Sequence, residues 1–172
     1  MKKDNFYKAL IAGSFSIFII GTLSYMTNMT DLGLLLVASF GSSMVLVLGY
    51  PESPFASGRN VLFGHTITSL VGLICYLIFV VKLDITPTIV IPIAVGLGIF
   101  FMILSNSTHP PAGGNPIIVI LGGYSFDFLL TPIISGCLII IIQAYVINNY
   151  LLKRDYKLFW NFMFDASIQR CY

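Results

Sequence analysis

Five apolar stretches of 18 to 21 residues, at 9–26, 32–50, 61–81, 87–104 and 129–148, run through this chain without one Asp, Glu, Lys or Arg among them. A rise of 1.5 Å per residue carries such a stretch across a hydrocarbon core of about 30 Å. A sixth stretch, 112–124, is shorter and could cross only as a broken or thin span, or by re-entering. Only 9% of the residues are charged and 57% are hydrophobic. A soluble domain carries about 25% charged residues, so this chain has too little polar surface for water. Its solvent is lipid.

The breaks between the stretches hold turn chemistry, at 28–31, 51–60, 82–87, 105–111 and 125–127. Connections this short predict an all-α, polytopic transmembrane helix bundle. It reads as a single transmembrane domain over 1–150 with a short tail at 151–172. Lys2, Lys3 and Lys8 precede the first stretch, and Lys153, Arg154, Lys157 and Arg170 follow the last. Bases gather on the cytoplasmic side, so both ends are expected there, in the plasma membrane, with an even number of crossings. Six segments fit. Four full spans plus two re-entrant segments is the alternative. The basic N-terminus ahead of a long apolar run reads as a retained first helix rather than a cleaved leader. In the tail, Tyr156, Lys157, Leu158, Phe159, Trp160, Asn161 and Phe162 mix aromatics with a base, as interfacial anchors do, which makes the lipid bilayer one partner.

Gly41-Ser42-Ser43 followed by an aliphatic run to Gly49 echoes Gly114-Asn115-Pro116 followed by an aliphatic run to Gly122. Each lies in the middle of a three-segment unit, one at 6–81 and the other at 85–150. Three crossings per unit would invert the second copy, a plan in which interrupted second helices meet at a substrate site.

Chemistry concentrates in two places. In Ser105-Asn106-Ser107-Thr108-His109-Pro110-Pro111-Ala112-Gly113-Gly114-Asn115-Pro116, paired prolines force an extended approach, and Pro116 suits a first helical turn. The spacing predicts free N–H groups on Gly113, Gly114 and Asn115, and comparable ones on Gly41, Ser42 and Ser43, where a helix start attracts anions. The second place is the loop Pro51-Glu52-Ser53-Pro54-Phe55-Ala56-Ser57-Gly58-Arg59-Asn60, followed by Gly64-His65. Arg59 offers a planar fork of five donors to an oxyanion, and the imidazole of His65 is expected to face protein or water. Glu52 and Asp127 read as solvated loop charges. Three scattered cysteines, Cys75, Cys137 and Cys171, form neither a metal nor a disulfide pattern. A net charge of +2 without a basic patch gives nucleic acid no footing.

Phe40-Gly41-Ser42-Ser43, then Pro51-x-Ser53-Pro54 running to Arg59-Asn60 and Gly64-His65, then Thr108-His109-Pro110-Pro111-Ala112-Gly113, come in a fixed order. With them the chain resembles the HPP family of integral membrane proteins, named for its His-Pro-Pro motif. The resemblance covers about 34–146. Ser57-Gly58 stands where family members usually carry Gln-Pro. The resemblance implies a compact multi-helix fold without cofactor and, from plastid and cyanobacterial relatives, nitrite transport.

The leading expectation is therefore a transporter or channel for a small inorganic anion such as nitrite, and not an enzyme. Its binding residues would be Gly41, Ser42, Ser43, Arg59, Asn60, His65, His109, Gly113, Gly114 and Asn115. Pro51, Ser53, Pro54, Gly64, Pro110, Pro111 and Pro116 would shape the motif. Two alternatives are an intramembrane metal site or enzyme built on the two histidines, and a non-transporting membrane subunit. The first lacks intramembrane carboxylates to complete a ligand set. Assembly into a homo-oligomer stays open.

Overall fold

The computed structural model describes residues 3–29 and 35–159. Expectations resting on Lys2, Asp31, Trp160, Asn161, Phe162, Arg170 and Cys171 lie outside the described residues.

Among the described residues, six helices form the bundle: α1 (Lys3–Met29), α2 (Ala38–Gly49), α3 (Gly58–Lys82), α4 (Pro87–Leu104), α5 (Asn115–Gly122) and α6 (Leu129–Leu151). Four of them, α1, α3, α4 and α6, are long and apolar enough to cross a membrane. The other two are not. The 12 residues of α2 rise about 18 Å at 1.5 Å each. A short 3₁₀ turn over Pro110–Gly114 leads into α5, which has only 8 residues.

The expected full-length second segment, 32–50, is thus corrected. Its helix begins only at Ala38, because Val37 is extended (φ −128°, ψ 152°) and the Leu35 N–H is bonded to the Thr27 hydroxyl at 3.0 Å. The all-α bundle expected from the sequence is observed, with four long helices and two short ones among the described residues. Long, short, long is the order in both halves of the chain.

α3 is the hub. Gly58, Asn60, Val61, Gly64, His65, Thr68, Ser69, Gly72, Leu73 and Cys75 are buried, while Phe63, Leu70, Ile74, Leu77 and Ile78 face outward. Its inward face is small and polar and its outward face apolar, which suits a helix solvated by lipid. Small residues let α5 slide in beside α3 and α4. A Cβ on Gly72 would sit 2.8 Å from Pro116 Cα, and one on Gly98 3.4 Å from Pro116 Cγ.

The tail is tied into the bundle over the part described. Tyr156 is buried. The first two amides of α3, Gly58 and Arg59, donate to the carbonyls of Lys157 and Leu158 at 3.1 and 2.7 Å, which satisfies donors that a helix start leaves free. Arg154 Nη1 donates to the Leu48 carbonyl at 2.9 Å, and Asn148 Nδ2 to the Val47 carbonyl at 2.9 Å. The C-terminal end of α2 is closed by side chains from more than 100 residues later.

Candidate functional site

Where α2, α3 and the segment leading into α5 meet, five buried polar side chains touch: Ser43, His65, Ser69, His109 and Asn115. Ser43 projects from α2, and His65 and Ser69 lie one turn apart on the inner face of α3. His109 precedes the 3₁₀ turn, and Asn115 opens α5. Gly64 makes the meeting possible. A Cβ there would lie 2.8 Å from His109 Cβ and 3.1 Å from the Ser107 carbonyl, so only glycine lets this loop lie against α3. Asn60 Nδ2 adds a staple, donating to the Pro54 and Thr108 carbonyls at 3.1 and 3.2 Å.

The hydrogen bonds run as one chain. His109 Nδ1 lies 2.7 Å from the Phe55 carbonyl, which can only accept, so Nδ1 carries the hydrogen and in the neutral ring Nε2 accepts. At the other end, Asn115 Nδ2 lies 3.3 Å from the His65 carbonyl and 2.9 Å from Ser69 Oγ. The carbonyl again demands a donor, which fixes the amide orientation. The same Nδ2 therefore donates to His65 Nδ1 at 3.0 Å, and the neutral His65 holds its hydrogen on Nε2. Ser43 Oγ joins the rings, 3.0 Å from His65 Nε2 and 2.9 Å from His109 Nε2. It accepts from the first and donates to the second. With both rings neutral, the polarity runs from Asn115 to His65 to Ser43 to His109 to Phe55. Both rings and the Ser43 hydroxyl find their partners without an ionised residue, while the buried Asn115 Oδ1 has none. The ring centroids stand 5.1 Å apart, and Phe40 packs edge-on against His65 at 5.1 Å.

The expectation of free backbone donors is overturned. Gly41, Ser42 and Ser43 lie inside α2, beyond its first turn, because the chain turns helical already at Ala38. Pro110 and Pro111 have no N–H to offer, the Ala112 N–H donates to the His109 carbonyl at 2.9 Å, and the Asn115 N–H goes to the Ala112 carbonyl. Gly113 and Gly114 fall within that tight turn. The prolines that mark a helix start also remove the donors such a start would present.

Three other expected residues stand apart from the cluster. Gly41 and Ser42 are exposed, and Gly41 lines a cleft of about 620 Å³ against α1 with Lys8, Ala12 and Ser16. Arg59 uses its fork on the end of α4, donating from Nη1 to the Asn106 carbonyl at 2.5 Å and from Nη2 to the Ser105 carbonyl at 3.1 Å. Asn106 there has a φ of 52°, a left-handed helix ending that asparagine tolerates. Glu52 is exposed and pairs with Lys8 at 3.9 Å, and Asp127 is exposed. Among the described residues, no three His, Cys, Asp or Glu side chains come together to hold a metal ion.

The profile of the HPP transmembrane region matches residues 1–157. The chain belongs to the HPP transmembrane family. Two transmembrane proteins of Dictyostelium discoideum are similar to it. One is 36% identical over 129 residues, covering 73% of this chain and 45% of the relative. The other is 31% identical over 148 residues, covering 84% and 47%. The chain spans about half the length of these curated relatives. No solved structure matches.

In this HPP protein the His-Pro-Pro motif does two separable things. Its histidine joins the buried chain, and its prolines set the approach to α5. Sequence reasoning missed Ser69 and the Phe55 carbonyl. Ser69 carried a usable signal, standing four residues after His65 on one helical face. The Phe55 carbonyl carried none, since a backbone acceptor has no letter in a sequence.

Proposed function

We propose that this protein moves a small inorganic anion, nitrite foremost, across the membrane. The observation that carries the reading is the convergence of Ser43 from one short helix with His109 and Asn115 from the other around His65 of α3. Polar groups at membrane depth are costly unless they serve one another or a passenger. Imidazole, hydroxyl and amide donors gather here, and the described acidic residues Asp4, Glu52, Asp84, Asp127 and Asp155 are all exposed. A site rich in donors and lacking carboxylates suits a negative passenger better than a cation. The family resemblance supplies nitrite as the first candidate. Transport rather than catalysis is the reading, with the passenger held by the histidine cluster and not by Arg59.

The test is flux in liposomes holding the purified protein, with nitrite, nitrate, formate and chloride supplied in turn, with and without a pH gradient. Nitrite flux that falls at least tenfold in His109→Ala is the expected outcome. Liposomes tight to all four anions would end the reading.

A further inference from the structure

The hydrogen-bond chain contains one joint that can turn. Ser43 Oγ lies 2.9 Å from His109 Nε2 and also 3.2 Å from the Ser39 carbonyl one turn earlier on α2. Its hydrogen has two possible acceptors, and its oxygen can accept from two donors. We propose that His109 Nε2 is a binding site for a single proton, with the Ser43 hydroxyl as the residue that makes room for it.

When a proton arrives from the solution, an N–H bond forms at His109 Nε2. The Ser43 hydrogen swings from that nitrogen to the Ser39 carbonyl, and Ser43 Oγ then accepts from both rings. No other bond breaks, and the Phe55 carbonyl keeps its donor. His65 has no such freedom. Its Nδ1 faces the Asn115 amide nitrogen at 3.0 Å, and protonation would set donor against donor. Turning the Asn115 amide would relieve this only by setting its oxygen against the His65 carbonyl at the 3.3 Å position, a cost that His109 does not meet. The cluster therefore takes one proton, on one named ring.

The groups that could tune this proton are few. His65 stands nearest, joined through Ser43. Arg59, also on α3, is engaged with the carbonyls of Ser105 and Asn106. Glu52, on the loop supplying Phe55, is exposed and paired with Lys8. α2 and α4 contain no titratable side chain. No described carboxylate reaches His109, so an imidazolium there would be a buried cation without a counter-charge, which is costly. A monoanion arriving beside it would cancel that charge. Resting on the transport reading, this makes proton and anion travel together, one to one and without net charge movement.

The chain has two histidines, so ¹⁵N-histidine NMR in lipid nanodiscs resolves both, with His65→Gln assigning the signals. The expected result is His65 held as the Nε2–H neutral ring at every pH. His109 should be Nδ1–H at high pH and become an imidazolium in a single step. Sodium nitrite, against sodium gluconate as control, should raise the His109 midpoint by about one pH unit or more, a tenfold gain in proton affinity. Ser43→Ala should lower it by about one unit, through the lost charge-assisted hydrogen bond, and Ser43→Thr should restore it. Titration of His65 in place of His109, titration of neither ring before the protein unfolds, or an unchanged midpoint in Ser43→Ala would each overturn the site. The proton site and the transport reading fail separately: a His109 that titrates as described in protein passing none of the four anions would leave the first standing and remove the second.

Discussion

α2 and α5 are both too short to cross a bilayer alone, yet they are kept short by different means. α5 is bounded by its own backbone chemistry. Pro110 and Pro111 set its approach, Pro116 sits in its first turn, and Gly123 ends it with a φ of 62°. α2 has no proline or capping side chain at its start. Its end is closed from outside by Asn148 and Arg154. They differ again in what they bring to the cluster: α2 gives one hydroxyl, and the α5 segment gives an imidazole and an amide. A short helix can be written locally or imposed by the rest of the fold, and here the locally written one carries most of the polar chemistry.

That contrast can be broken in four places. Asn115→Leu is expected to cost most, about 3 kcal/mol, because His65 Nδ1, the His65 carbonyl and Ser69 Oγ lose a shared donor in a buried site. Thermal unfolding in detergent measures it, and a loss below that of any other variant here would show the amide to be marginal. Asn148→Leu should follow at about 2 kcal/mol, since it strips the buried Val47 carbonyl of its side-chain donor. Hydrogen exchange should then rise in α2 and not in α5. Exchange rising equally in both would dissolve the distinction between imposed and local closure. Gly123→Ala places a Cβ at a left-handed residue, 3.1 Å from Tyr76 Oη, at a cost of about 1–2 kcal/mol. Its increased exchange should be confined to the end of α5. Arg154→Ala is the mildest, about 1 kcal/mol or less, because the side chain is half-buried and water can replace it at the Leu48 carbonyl. A larger loss there than for Asn148→Leu would make the tail, rather than α6, the main clamp on α2.

The same contrast explains what could be read in advance. The α5 segment was legible because proline and glycine act on their own backbone, so its boundaries are written where they fall. Nothing between 32 and 37 breaks a helical pattern by composition, so the sequence puts the start of this segment at 32, ahead of the observed start of α2 at Ala38. The extended Val37 and the Thr27 contact depend on α1 lying alongside. His65 is legible as a polar residue in an apolar helix, and His109, Ser43 and Asn115 from the glycine- and proline-marked breaks, although the last two contribute side chains rather than the backbone N–H groups expected of them. Arg59 was also named, but its charge says only that it needs acceptors, and the end of α4 supplied them.

By itself the sequence determined the solvent and the broad architecture, because uncharged runs of about 20 residues have only lipid as a compatible surrounding. It also showed which polar residues lie within those runs, but not which of them are buried: Ser43 is buried and its neighbour Ser42 is exposed. Which of them meet was decided only by tertiary structure. Ser43 and His109 are 66 positions apart, and their contact depends on a glycine in a third segment that lets two backbones approach. Hydrogen-bond direction, and with it the place for a proton, belongs to that geometry alone: it is fixed by two backbone carbonyls, those of Phe55 and His65, whose positions no side chain announces.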